Sequence, residues 1–141
     1  MTFCETRQIE EWSNTTFKEI IFDSENETFL LGRSQFDQKV FGREKLAFVI
    51  EDTEGNVFGG FVNAKVDAYQ YCNRGIWRGK YITDDDAFVF SLKSNGRLEQ
   101  PMKFPIKYTD QTIVLYDENV DYLLSIGSDG GQGKNDDITH M

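Results

Sequence analysis

The chain has 141 residues, 39% of them apolar, including 12 Phe, 6 Tyr and 2 Trp. That gives room for one domain with an aromatic-rich core and leaves none for a second. The 24 acidic residues exceed the 15 basic ones and set a net charge of −9, which opposes broad binding to nucleic acid or anionic lipid. Cys4 and Cys72 stand far apart and outside any C-x-x-C spacing, so neither a disulfide framework nor a zinc site is supported. With no signal-like start and no apolar run near the roughly 18 residues of a membrane span, a soluble cytoplasmic domain is expected.

Ile9 and Trp12 are three apart and predict one turn of helix over Ile9-Glu10-Glu11-Trp12. The run Phe17, Ile20, Ile21, Phe22 reads as a first strand over 17–23, being aromatic and β-branched. From Ser34, with Asp37 three residues on, a short helix runs to Gly42, carrying Phe36, Val40 and Phe41. Leu46–Ile50 and Val57–Val62 flank the turn-rich Glu51–Asn56 and predict a β-hairpin. Gly59-Gly60 inside its second strand signals a bulge or a close approach by another backbone.

The stretch Asp67–Asp86 is the least regular and reads as a surface insertion between strands. Strands return at Ala87–Leu92, at Met102–Lys107 and at Ile113–Tyr116 and Tyr122–Ile126, with a turn at Ser94–Arg97. Pro105 cannot donate to a ladder, which makes its strand an edge or a bulged one. Six or seven short strands with one or two short flanking helices predict an α+β, mostly β fold: two antiparallel sheets packed as a sandwich over 9–128, followed by a flexible acidic and Gly-rich tail at 129–141.

Taken together, Phe17–Ser24, Phe36-Asp37 before Gly42, Leu46–Asp52, Gly55–Phe61, Ala87–Leu92, Pro101–Lys107 and Leu124–Gly127 resemble the TLDc domain family, in particular its short amoebal versions. The order and spacing of these segments carry the resemblance, which covers Trp12 to Ile126. It implies a β-sandwich flanked by short helices and a non-enzymatic protein-interaction module. It also implies a role in protection against oxidative stress and a protein partner among the subunits of the vacuolar proton pump. The family has no established catalytic constellation, so none is carried over. TLDc domains continue past the point matching Met141, so the resemblance implies a copy short of its closing strands.

The chemistry-bearing residues fall mostly to ordinary structural roles. His140 stands beside the terminus with no second base and no serine elbow, as a frayed end does. Asp84-Asp85-Asp86 and Asp23, Glu25 and Glu27 tempt a calcium reading. An EF-hand loop counted from Asp23, however, needs Gly and Glu where Thr28 and Ser34 stand, so solvated turns are the better account. Gly127–Lys134 lacks the hydroxyl residue that a phosphate loop places after its Lys. No catalytic residue, metal site or cofactor is assigned.

One local feature stands out: Tyr69–Tyr81, where this acidic chain concentrates Arg74, Arg78 and Lys80 among Trp77 and Tyr81. These residue types are enriched at protein interfaces, and they also stack on bases or seat against lipid headgroups. Arg74, Trp77, Arg78, Lys80 and Tyr81 are therefore the candidate interaction patch, with a protein partner leading and a nucleic acid or phosphoinositide ligand as the alternative. A further alternative is a redox-responsive protein acting through Cys72, whose neighbour Arg74 favours the thiolate. The net charge gives no expectation of DNA binding.

Overall fold

The computed structural model describes residues 1–26, 32–67, 70–74, 77–107, 112–116 and 124–127. Two helices and eight strands lie among them: α1 (Phe3–Ser13), α2 (Gly32–Val40), β1 (Leu46–Glu51), β2 (Val57–Val62), β3 (Gln70–Arg74), β4 (Trp77–Ile82), β5 (Phe88–Lys93), β6 (Met102–Pro105), β7 (Ile113–Tyr116) and β8 (Leu124–Ile126). They form two four-stranded antiparallel sheets, ordered β1-β2-β5-β6 and β3-β4-β7-β8. This is the α+β, mostly β sandwich expected. The tail at 129–141, with His140, and the Gly-rich run from Ser128 to Lys134 lie outside the described residues.

Helix α1 is longer than one turn because Thr2 and Glu5 close a capping box at its start. The Thr2 hydroxyl accepts from the Glu5 amide at 3.2 Å and Glu5 Oε2 accepts from the Thr2 amide at 2.7 Å, satisfying two donors that a helix start leaves open. Asn14 ends the helix in the left-handed conformation, at φ 51°. Ile9 and Trp12 face the first sheet, where Trp12 meets the rings of Phe88 and Phe90 at centroid distances of 6.4 and 6.3 Å.

Strand periodicity divides the first sheet cleanly. Val57, Phe61, Phe88, Phe90 and Leu92, with Ala47 and Val49, form a core against α1. Residues of the opposite parity, Leu46, Phe48, Val62 and Val89, join the core shared with the second sheet. There they meet Ile82, Ile113, Leu115, Leu124 and Ile126, and Phe36 and Val40 of α2 close the same core. Each fully buried side chain of this size contributes about 2 kcal/mol, so most of the stabilisation comes from these two clusters.

Gly59 and Gly60 stand where the sheets leave no room. A Cβ on Gly59 would strike the Phe48 carbonyl oxygen of the neighbouring strand, and one on Gly60 would sit 2.7 Å from Ile126 Cδ1 across the sandwich. The close approach expected of this pair is thus real. A register shift at Val57/Phe58 adds an irregularity to the same strand.

Three sequence expectations fail. Residues 17–23 form no strand: Phe17 packs into the α1 core while Ile21 and Phe22 pack into the inter-sheet core. The segment thus links the two clusters instead of pairing in a ladder. Asp67–Asp86 is no irregular insertion, since it supplies β3 and β4, half of the second sheet. Ser34 also lies within α2 and is not its cap.

Candidate functional site

The β3–β4 hairpin carries every residue of the candidate patch. Its register pairs Gln70 with Tyr81, Tyr71 with Lys80, Cys72 with Gly79, Asn73 with Arg78 and Arg74 with Trp77. Among the described residues, β4 in turn pairs with β7 through Gly79–Ile82, opposite Tyr116, Leu115, Val114 and Ile113. Asn73, Arg74, Trp77 and Arg78 therefore lie at the end of the hairpin, beyond the pairs with β7 among the described residues.

This geometry brings Arg74, Trp77 and Arg78 together at the tip and separates them from Lys80 and Tyr81. Lys80 lies opposite Leu115, within the body of the sheet. Tyr81 lies opposite Val114 and is half-buried. Strand alternation further places positions 77, 79 and 81 on one face of β4 and positions 78, 80 and the buried Ile82 on the other. The five residues are thus not one continuous face. Cys72 belongs to the same face of β3 as Arg74, two positions away.

The root of the hairpin is fixed by a buried carboxylate. Asp84 is 6% exposed, and its Oδ2 accepts from the amides of Asn63 at 2.6 Å and Ala64 at 2.9 Å. Its Oδ1 accepts from the Asp86 amide at 3.0 Å. The Asp84 amide donates to the Thr112 hydroxyl at 2.9 Å, and that hydroxyl donates back to the Asp84 carbonyl at 3.0 Å. Thr112 also accepts the Gly127 amide at 2.7 Å. The chain crosses between sheets three times, after β2, β4 and β6, and these bonds join all three crossings at one point. Asp84 thus departs from the solvated turn expected of Asp84-Asp85-Asp86, although Asp85 and Asp86 are exposed.

Asp23, another acidic candidate, and Asp52 each form a turn, and Glu27 lies outside the described residues. Asp23 accepts from the Glu25 amide at 3.1 Å and the Asn26 side chain at 2.6 Å. Asp52 accepts from the amides of Glu54 and Asn56, each at 2.9 Å, and from the Asn56 side chain at 2.7 Å. The Asn56 side-chain bond, followed by its backbone N–H, holds the Asp52 carboxyl below the ordinary carboxylate value. Asn56 in turn accepts the Asn95 amide at 2.8 Å, and Asn95 donates to the Glu54 carbonyl. The β1–β2 and β5–β6 turns are thereby tied together.

Among the described residues, no three His, Cys, Asp or Glu side chains gather to hold a metal ion, and Cys4 is an exposed free thiol. Two shallow clefts flank the C-terminal end of α1. The larger, about 240 Å³, is lined in part by Trp12, Asn63, Asp86 and Lys103. No helix among the described residues is long and apolar enough to cross a membrane. Sequence reasoning located the hairpin's residues but missed its anchor, and it missed the strands themselves. The overlooked signal is Arg74-Gly75-Ile76-Trp77, a Gly at the first of two residues between strands, the composition of a tight hairpin link.

Comparison with protein-family models, with curated proteins and with solved structures gives no match to this chain.

Proposed function

We propose that this chain is a non-enzymatic interaction module of the TLDc type, docking a cytosolic protein partner through the tip of the β3–β4 hairpin. The partner proposed is the cytosolic sector of the vacuolar proton pump, in the setting of protection against oxidative stress. One observation supports the docking site: the register brings Arg74, Trp77 and Arg78 to one end of the β3–β4 hairpin, beyond the pairs β4 makes with β7 among the described residues, and Arg and Trp are the side chains that most often dominate binding energy at protein interfaces. The TLDc assignment rests on the order and spacing of the segments quoted above, together with the two-sheet sandwich.

Affinity capture with the full chain at endogenous expression tests this reading. Wild type is expected to recover proton-pump subunits, and the Arg74→Ala/Trp77→Ala variant to lose them while keeping its unfolding midpoint. Recovery of no pump subunit by the wild type removes the pump as partner.

A redox reading has one observation in its favour, namely that Cys72 and Arg74 occupy the same face of the outermost strand of the second sheet. Mild peroxide followed by mass spectrometry decides it, with exposed Cys4 as the internal reference. A Cys72 that is modified no faster than Cys4 removes that role.

A further inference from the structure

The free edge of the first sheet combines features that neither the core nor the hairpin uses. β6 pairs with β5 through Met102–Pro105, and no strand among the described residues lies on its other side. All four of its residues are exposed. Met102 and Phe104 keep 38% and 40% of their surface in solvent, although they lie opposite Ser91 and Val89 on the face of the sheet that carries the inter-sheet core. Val89 and Ile106 beside them pack on that core. The apolar layer therefore runs outward to β6 and ends there uncovered.

The same region inverts the charge of the molecule. From Lys93 to Lys107 the chain carries Lys93, Arg97, Lys103 and Lys107 against Glu99 alone, a local net of +3 in a protein of −9. Lys103 is held in place: its Nζ donates to the Trp12 carbonyl at 3.0 Å and lies 4.3 Å from the Phe88 ring centroid. An ammonium has three donors, so a fixed cation with further donor capacity stands beside the open edge. Lys and Pro often guard edge strands against pairing. Here Lys103 turns inward onto α1, and Pro105 closes only the last position of the ladder, leaving Met102–Phe104 open.

We propose that β6 is a docking edge for an acidic extended peptide, which adds as a fifth strand to the first sheet. Apolar side chains at alternate positions of the peptide cover Met102 and Phe104, and carboxylates at the intervening positions face Lys103. Backbone bonds supply affinity and the alternating contacts supply selectivity. A second copy of this chain is a poorer occupant, because two β6 strands would set the cations of one edge against those of the other. The inference does not depend on what the hairpin binds.

The test is fluorescence anisotropy of a labelled peptide of alternating Glu and Val titrated with the full chain. A Lys/Val peptide and a Glu/Val peptide interrupted by a central Pro serve as controls. Binding of the Glu/Val peptide alone is expected, weakening as salt is raised. Phe104→Ser should weaken it about tenfold, and amide exchange should slow at Met102–Phe104. Should Phe104→Ser misfold, Met102→Ser reads out the same contact. Equal binding of the Lys/Val or Pro-interrupted peptide overturns the proposal. So does absence of binding at about 1 mM chain, or self-association through β6 without peptide binding.

Discussion

Two carboxylates of similar appearance in the sequence do different work. Asp84 is buried and its oxygens accept three backbone N–H groups, so removing the carboxylate leaves three part-buried donors without that partner. Asp84→Ala is expected to cost about 2–4 kcal/mol in urea unfolding, with Asp84→Asn recovering part of it; a change under about 0.5 kcal/mol would remove Asp84 as the junction of the crossings. Asp52 is half-buried and organises a turn. Its lowered pKa means that its contribution to folding is fully present above the ordinary value of 3.8 and is lost as pH falls through the lowered folded value. NMR titration should place its midpoint below the ordinary value of 3.8, and Asp52→Ala should speed exchange of the Glu54 and Asn56 amides. Neither role was legible in the residues, because Asp84-Asp85-Asp86 read as a solvated turn and Glu51–Asn56 only as the link of a hairpin. Asp84 is fully buried because the crossings converge on it, whereas Asp52 stays half-buried in a turn.

At the scale of elements, periodic strands were readable and aperiodic ones were not. Leu46–Ile50, Val57–Val62 and Phe88–Leu92 alternate or run apolar, and they form strands where expected. Pro105 marked its strand as an edge or a bulged one, and β6 is an edge among the described strands. The Phe17–Phe22 run was misread since apolar content alone does not distinguish a paired strand from an extended segment that covers two cores. The one turn expected over Ile9–Trp12 is the last part of a longer α1, because the capping signal of Thr2 and Glu5 went unread.

The glycine pair measures how tightly the sheets meet. Gly60→Ala should destabilise by about 1–3 kcal/mol, because its new methyl would overlap Ile126 Cδ1. Ile126→Val removes that atom, so the double variant should lose less than the sum of the single changes, by about 1 kcal/mol. Strict additivity in urea denaturation would show that the two sheets do not touch at this point.

For the molecule as a whole, the sandwich and its flanking helices were within reach of sequence patterns, whereas the composition of the second sheet was not. Its outer half comes from Tyr71-Cys72-Asn73-Arg74 and Trp77-Arg78-Gly79-Lys80, where charged and polar residues interrupt the apolar alternation that marks a strand. The candidate patch was chosen by composition, and the register then divided it, gathering Arg74, Trp77 and Arg78 at the tip and leaving Lys80 and Tyr81 beside β7. The central claim is that this segment is a hairpin built into the sandwich and so presents its residues from a fixed frame. Hydrogen–deuterium exchange of the full chain under native conditions tests it most directly. The account predicts that ladder amides of β4, over Gly79–Ile82, exchange as slowly as those of β5 and in the same cooperative unit. Exchange of 70–82 at the rate of an unstructured peptide, with β5 still protected, would contradict it.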